Sequence, residues 1–406
     1  MGDELALIAL TIRVANLTNS GWGVAALLLA GLLPLVVFAP AAGVIVDNFE
    51  TTRTLAVSTA AQALLAVALA FATGFSTILL LAFLLGVGTA VATPSLYTLI
   101  PAVVGEERAT QANAYFETAR YGGMVAGPVL AGALSATLGS KVALLVDAVT
   151  FVAIALAALA LVTRRQPQTE EADRSERGEA RAGLEVIRRD RLLVMTFSVF
   201  AVVILFAAMD NVAEVFFARN TLHAGSWGYG LLASIWLVGI VIGTLVIART
   251  LPKDRLVPAL LVASVIGGGA VGLAAFLPSL ALALSMFLVG GVANGVQGVS
   301  VRSLVVHRVQ DRYRGRVFAA YGGLATGMQI GAMALGGALV FALGGRATLV
   351  VGGLGCVVAG VVGLLWFGAL PASVRAMPQV IPEAPLPDVV LHLPEPAPAD
   401  PRSSSV

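Results

Sequence analysis

Charge is what this sequence has least of. Charged residues make up 12% of its 406 positions, about half the roughly 25% usual for a soluble domain. So few charges cannot clothe a water-exposed surface, which excludes a soluble enzyme and a nucleic-acid-binding domain. The single cysteine, Cys356, excludes a disulfide framework and a thiolate metal centre. His223, His307 and His392 are the three histidines; they fall on different segments, with no second ligand at metal spacing. No Gly-rich loop ends in Lys-Ser or Lys-Thr, so no nucleotide-driven pump is expected. The first apolar run has acids near its start and no basic region before it, so no cleavable signal peptide is expected. No cofactor is implied, and energy must come from an ion gradient or from the substrate's own gradient.

What is present is apolar. Hydrophobic residues reach 58% and the mean hydropathy is +0.92. A bilayer core about 30 Å thick needs about 20 apolar residues of helix. The sequence offers twelve such runs, at about 1–17, 22–45, 55–73, 76–103, 111–138, 141–162, 191–218, 227–249, 257–276, 279–304, 317–343 and 347–369. The expected fold is therefore an all-α membrane protein of twelve transmembrane helices in two six-helix bundles. The bundles are expected at 1–162 and 191–370, joined by a cytoplasmic linker at 163–190, with a Pro-rich disordered cytoplasmic tail at 371–406. Within the linker, 179–190 has the pattern of an amphipathic helix lying on the membrane surface.

Basic residues orient the chain. The loops at 46–54, 104–110, 163–191, 250–256 and 305–316 and the tail after 370 hold most of the Arg and Lys, against Arg219, Arg346 and Lys141 on the opposite side. This bias puts both termini in the cytoplasm. The halves read as a weak repeat: at an offset of 204 residues Gly86 meets Gly290, Arg108 meets Arg312, and Gly127 meets Gly331. Parallel six-span repeats occur in one large class of secondary transporters.

The segment GVIVDNFETTR at 43–53 lies between two of the apolar runs. It resembles the loop between spans 2 and 3 of the major facilitator superfamily. Gly43, Asp47 and Arg53 match that loop, while Asn48 replaces the usual Arg and Thr52 a frequent second basic residue. GDELALIAL at 2–10, AGPVLAG at 126–132, YGLLASIWLVGIVIGTL at 229–245 and YRGRVFAAYGG at 313–323 are similar to its bacterial drug-efflux and siderophore-exporter branch. The resemblance implies proton-driven antiport of an amphipathic small molecule out of a bacterial cell, across the cytoplasmic membrane, by a monomer. It also implies a conformational switch in the loop of Gly43, Asp47 and Arg53, and a hinge at Gly127, Pro128 and Gly132. In the family the Gly-Asp pair lies deeper in span 1, so here span 1 is expected to be short or to continue upstream. A siderophore exporter, a lysolipid flippase on the same fold, and a membrane receptor or assembly subunit that transports nothing remain alternatives.

Ionisable side chains inside spans are costly and so are site candidates. Asp210 and Glu214, four apart on one face of span 7, are the preferred proton-coupling pair, with Asp3 of span 1 as a further candidate. Two carboxylates one turn apart repel each other, and one that takes a proton on one side and releases it on the other couples transport to the gradient. Glu117 and Arg120 on span 5 are expected to neutralise each other. Arg13 and Arg302 balance Asp3, Glu4 or Asp147 across the cavity, or bind an anionic substrate. Gly123, Gly127, Gly132, Gly331, Gly336 and Gly337 fit close helix contact.

Overall fold

The computed structural model describes residues 2–161, 176–277 and 279–375. Among these residues there is no strand. The helices are α1 (Gly2–Thr18), α2 (Gly21–Val37), α3 (Ala39–Asn48), α4 (Thr51–Phe71), α5 (Phe75–Val104), α6 (Glu106–Thr137) and α7 (Ser140–Ala160). After the charged segment come α8 (Glu176–Arg189), α9 (Arg191–Ala207), α10 (Asp210–Phe216), a π-helical stretch Phe217–Thr221, and α11 (Gly225–Thr250). The last are α12 (Leu256–Phe276), α13 (Leu280–Arg308), α14 (Asp311–Ala369) and α15 (Ala372–Arg375).

Eight described helical stretches are long and apolar enough to cross a bilayer, and this is a multi-pass membrane protein. One of them runs through 57 residues, about 85 Å at 1.5 Å per residue, far more than a single crossing needs. It doubles back at Gly344, whose φ of 81° lies in the region open to glycine. Three further expected spans fall on α1 and α2, of 17 residues each, and on α6, which opens on the polar stretch EERATQANAYFETAR. Large apolar side chains such as Leu64 and Leu365 point outward, as a lipid-facing wall requires.

In the first half α4 packs on α5 and α7, and α1 on α6 and α7. In the second half α12 packs on α13 and α14, α11 on α13, and α9 on α14. The halves meet chiefly where α6 lies on α11 and α2 on α14. Lipid is as apolar as Leu, so these contacts rest on close packing rather than on hydrophobic transfer. Gly132 of α6 faces Gly230 of α11 so closely that a Cβ on Gly132 would sit 3.0 Å from the Gly230 Cα. Gly337 of α14 meets Ala25 and Gly21 of α2, and Gly336 meets Met209.

Three expectations change in detail. The segment at 43–53 is mostly helix: α3 runs to Asn48 and α4 starts at Thr51, leaving Phe49 and Glu50 between them. Span 2 bends between α2 and α3, where Pro34 lies inside the helix and Pro40 opens the next one. The amphipathic helix near 179–190 is α8, and protein covers part of its apolar face while Leu184 stays exposed. Val186 and Ile187 are buried in the core of the second half, and Gly183 lies against the backbone of Arg316 and Val317. Residues 162–175 of the linker and 376–406 of the tail lie outside the described residues.

A buried ion pair fastens this end of the second half. Arg308 donates through Nε to Asp190 Oδ2 at 2.6 Å and through Nη2 to the Val374 carbonyl at 3.1 Å. Asp190 also caps α9, accepting from the Leu192 and Leu193 amides at 2.8 and 3.2 Å. The pair thus joins the entry to α9, the exit of α13 and, through Arg308, the segment after α14.

Candidate functional site

Span 7 continues from α9 into α10 through Ala208 and Met209, whose backbone stays in the right-handed helical region. Asn211 donates its side-chain amide to the Ala208 carbonyl at 3.1 Å. The short helix keeps Asp210 and Glu214 one turn apart, yet their surroundings differ. Asp210 lines a cavity of about 30 Å³ inside the second half, together with Ser264, Asn294, Gln297, Trp236 and Cys356. Its Oδ1 is buried and has no hydrogen-bond partner. Space for it comes from Gly352, where a Cβ would stand 3.1 Å from Oδ1. Glu214 lies instead near Tyr229 of α11, which also neighbours Thr11 and Glu4 of α1. Glu214 Oε1 is buried without a hydrogen-bond partner. Asp210 therefore belongs to the interior of one half, and Glu214 to the junction of the two.

The ends of the molecule differ sharply. At the end bearing the loops around 19–20, 138–139 and 222–224, the halves are latched. Arg219, on the π-helical stretch, donates to the Ala15 carbonyl at 3.2 Å, to Asn16 Oδ1 at 2.9 Å and to Asn19 Oδ1. The Gly132–Gly230 and Gly21–Gly337 approaches lie at the same end. At the end bearing the charged loops, α6 stands clear. Thr118 to Gly122 are all exposed, and five consecutive residues pass more than once round a helix. No other helix covers this stretch of α6.

An aromatic and ionic cluster stands at this end. Tyr97 of α5 donates its hydroxyl to Glu117 Oε1 at 2.6 Å. Arg120 grips Glu117 Oε2 through Nε at 2.9 Å and Nη2 at 2.7 Å. The Arg120 guanidinium also lies 4.9 Å from the Tyr121 ring centre. Glu117 and Arg120 are thus one ion pair, with both side chains partly exposed. Sequence spacing found the pair but not Tyr97, which sits twenty residues earlier on another helix.

The other candidates have varied settings. Arg13 donates to the Leu69 and Ala70 carbonyls at 2.8 and 3.4 Å and to the Ala72 carbonyl. It satisfies the C-terminus of α4 and is not balanced against a carboxylate. Arg346 does the same for α12, donating to the Ala275 and Phe276 carbonyls at 2.9 Å. Asp147 is buried beside the start of α1, with Oδ2 unbonded and Thr150 as neighbour. Asp3 lies within electrostatic reach of it. Arg302 is exposed on α13 and lies near Tyr321. Arg53 pairs with Glu50 on the same stretch of chain at 2.9 Å. The side chain of Asp47, like Gly43, lies outside the described residues. The hinge segment of Gly127, Pro128 and Gly132 runs within the unbroken helix α6, with Pro128 and Gly132 against Gly230. Among the described residues no three His, Cys, Asp or Glu side chains cluster as a metal centre would need.

The family model described as Major Facilitator Superfamily matches residues 1–332. Macrolide efflux protein A of Enterococcus faecalis is 23% identical over 315 residues, covering 73% of this chain and 94% of that protein. Macrolide efflux protein A of Streptococcus pyogenes is 22% identical over 336 residues, covering 78% and 80%. Among solved structures, the nucleoside transporter NupG superposes with a TM-score of 0.73 at 15% identity, covering 90% of this chain and 97% of that one. A bacterial homologue of the iron transporter ferroportin, in an inward-facing state, gives 0.67 at 16% identity, covering 90% and 95%.

Proposed function

The chain belongs to the Major Facilitator Superfamily, and from that premise we propose that this transporter exports a hydrophobic or amphipathic small molecule in exchange for protons. The observation that carries the reading is the uncovered stretch of α6 on the charged-loop side, which we take as one wall of a cleft between the halves, with the opposite end latched by Arg219 and the glycine contacts. The Arg and Lys bias supports assigning the open side to the cytoplasm of a bacterium and both termini to that compartment. A substrate would then enter the cleft from the cytoplasm or the inner leaflet. The exposed Tyr97 and Tyr121 rings beside Glu117 suit a large amphipathic molecule, the macrolide class named for the relatives included. Release needs the latched end to part while the open end closes, which is alternating access.

The energetics are adequate. One proton charge moving down a potential of about 100 mV supplies about 2.3 kcal/mol, enough for roughly a 50-fold gradient of a neutral substrate. Asp210 and Glu214 are the proposed proton carriers. The protein works as a monomer in the bilayer.

Two measurements test this reading. Purified protein in proteoliposomes should accumulate a radiolabelled macrolide or a fluorescent lipophilic amine when a pH gradient is imposed. Absence of both accumulation and substrate-dependent proton movement would leave a receptor or assembly role. For orientation, Glu170→Cys and Leu138→Cys are placed separately in a Cys356→Ser background. An impermeant thiol reagent on intact cells should label position 138 and spare position 170; the reverse pattern turns the molecule over.

A further inference from the structure

We propose that the cavity beside Asp210 is a binding site for one monovalent alkali cation of sodium size, taken up in competition with the coupling proton. Binding stands on the cavity itself; its consequence for export rests on the reading of Asp210 as a proton carrier.

The donors set the chemistry. Asp210 supplies a carboxylate oxygen that is buried and without a hydrogen-bond partner. Ser264 supplies a hydroxyl, and Asn294 and Gln297 supply amide oxygens, all lining the same cavity. These are hard, neutral or anionic oxygen ligands, which suit alkali and alkaline-earth ions and not soft metals. Two of them are held in place. Gln297 donates its Nε2 to Ser264 Oγ at 3.0 Å, and Ser264 donates to the Leu260 carbonyl at 2.9 Å. With its nitrogen so engaged, Gln297 keeps Oε1 as a free acceptor.

Charge and size choose among the ions. Asp210 is the one carboxyl group among the lining residues. A single carboxylate neutralises a single positive charge; a divalent ion would leave an uncompensated charge in the membrane, which is costly. The volume of about 30 Å³ exceeds the 10–15 Å³ a water-sized occupant needs. It leaves no room for an organic cation. Trp236 and five glycines, Gly267, Gly268, Gly290, Gly352 and Gly353, form much of the remaining wall. The titratable neighbours are few: Glu214, one turn along α10, and the Cys356 thiol on α14. No charged group faces Asp210 from the cavity-lining parts of α11, α12 or α13.

Thermal unfolding of the full chain in detergent tests the site without any transport assay. The salts are sodium chloride and choline chloride at equal ionic strength, at pH 8 and pH 6. Sodium should raise the unfolding temperature at pH 8 and do so less at pH 6, where protons compete. Asp210→Asn should remove the sodium effect. Ser264→Ala, which changes little in volume, should raise the half-maximal sodium concentration by about tenfold. Identical curves in sodium and choline, or a sodium effect surviving in Asp210→Asn, would overturn the proposal. If the wild type ignores sodium while Asp210→Asn still loses proton-driven export, the cation site fails and the proton role stands. If sodium binds but Asp210→Asn exports normally, the site stands and the proton role fails.

Discussion

Asp210→Asn is expected to abolish uphill export driven by a pH gradient while downhill exchange of substrate continues. The amide preserves the volume that Gly352 leaves for the side chain, so α10 should keep its place. What the substitution removes is the ability to carry and release a proton. The cleft residues Tyr97, Glu117 and Arg120 lie on α5 and α6, in the other half of the molecule, so substrate binding should survive. Glu214→Gln is expected to have a smaller effect on coupling. Glu214 neighbours Tyr229 and α1 at the latched junction, where its loss should bear more on closure than on the gradient. The measurement is transport in proteoliposomes with an imposed pH gradient, run beside exchange without one. Normal uphill export by Asp210→Asn would move the search to Asp147, which is buried with an unbonded oxygen, and to its neighbour Asp3.

Arg308→Ala is expected to cause the largest loss of stability of any single substitution discussed for this chain. Arg308 and Asp190 are nearly fully buried, with side chains 3% and 7% exposed. Removing one partner leaves the other charge without compensation in a medium that solvates it poorly, at a cost of about 3–5 kcal/mol. The lost bond to the Val374 carbonyl adds to this. Asp190→Asn separates the two duties of the aspartate. The amide oxygen can still accept from the Leu192 and Leu193 amides, while Arg308 loses its counter-charge. Combining Asp190→Asn with Arg308→Met should recover much of the loss, because both charges are then gone and neither is left buried without its partner, while the amide still caps α9. Thermal unfolding in detergent reads all three. Equal stability of wild type and Arg308→Ala would mean that water reaches the pair and that the junction is not a fastening.

The single substitutions also show what could be read from spacing alone. Glu117 and Arg120 are three residues apart on one helix, so their pairing needs nothing beyond helical geometry. The four-residue spacing of Asp210 and Glu214 likewise lies within one helix, α10. Arg13 was legible as an intramembrane cation, but its partners are carbonyls at the end of α4, more than fifty residues away. Carbonyls carry no sequence signal. Ser264, Asn294 and Gln297 are ordinary polar residues in apolar runs, passed over because attention to formal charge ignores them. Polar amides within a span are the sign that could have found this cavity. Asp190 and Arg308 stood at span ends and read as loop charges, although they are buried against each other.

By itself the sequence determined that this is an all-α, multi-pass membrane protein and which family it resembles. Scarce charge and long apolar runs force every backbone polar group into helices, whatever the partners. It also marked the turn at Gly344 to within a few residues and the carboxylates of span 7. Tertiary structure decided what lies across from each of these groups. It set Asp210 towards a cavity in the second half and Glu214 towards the first half. It buried Val186 and Ile187 of α8 in the core of the second half, and it joined the halves at one end through glycine contacts. Those outcomes depend on helices packing from distant parts of the chain, at separations where side-chain periodicity says which face is apolar but not which neighbour covers it.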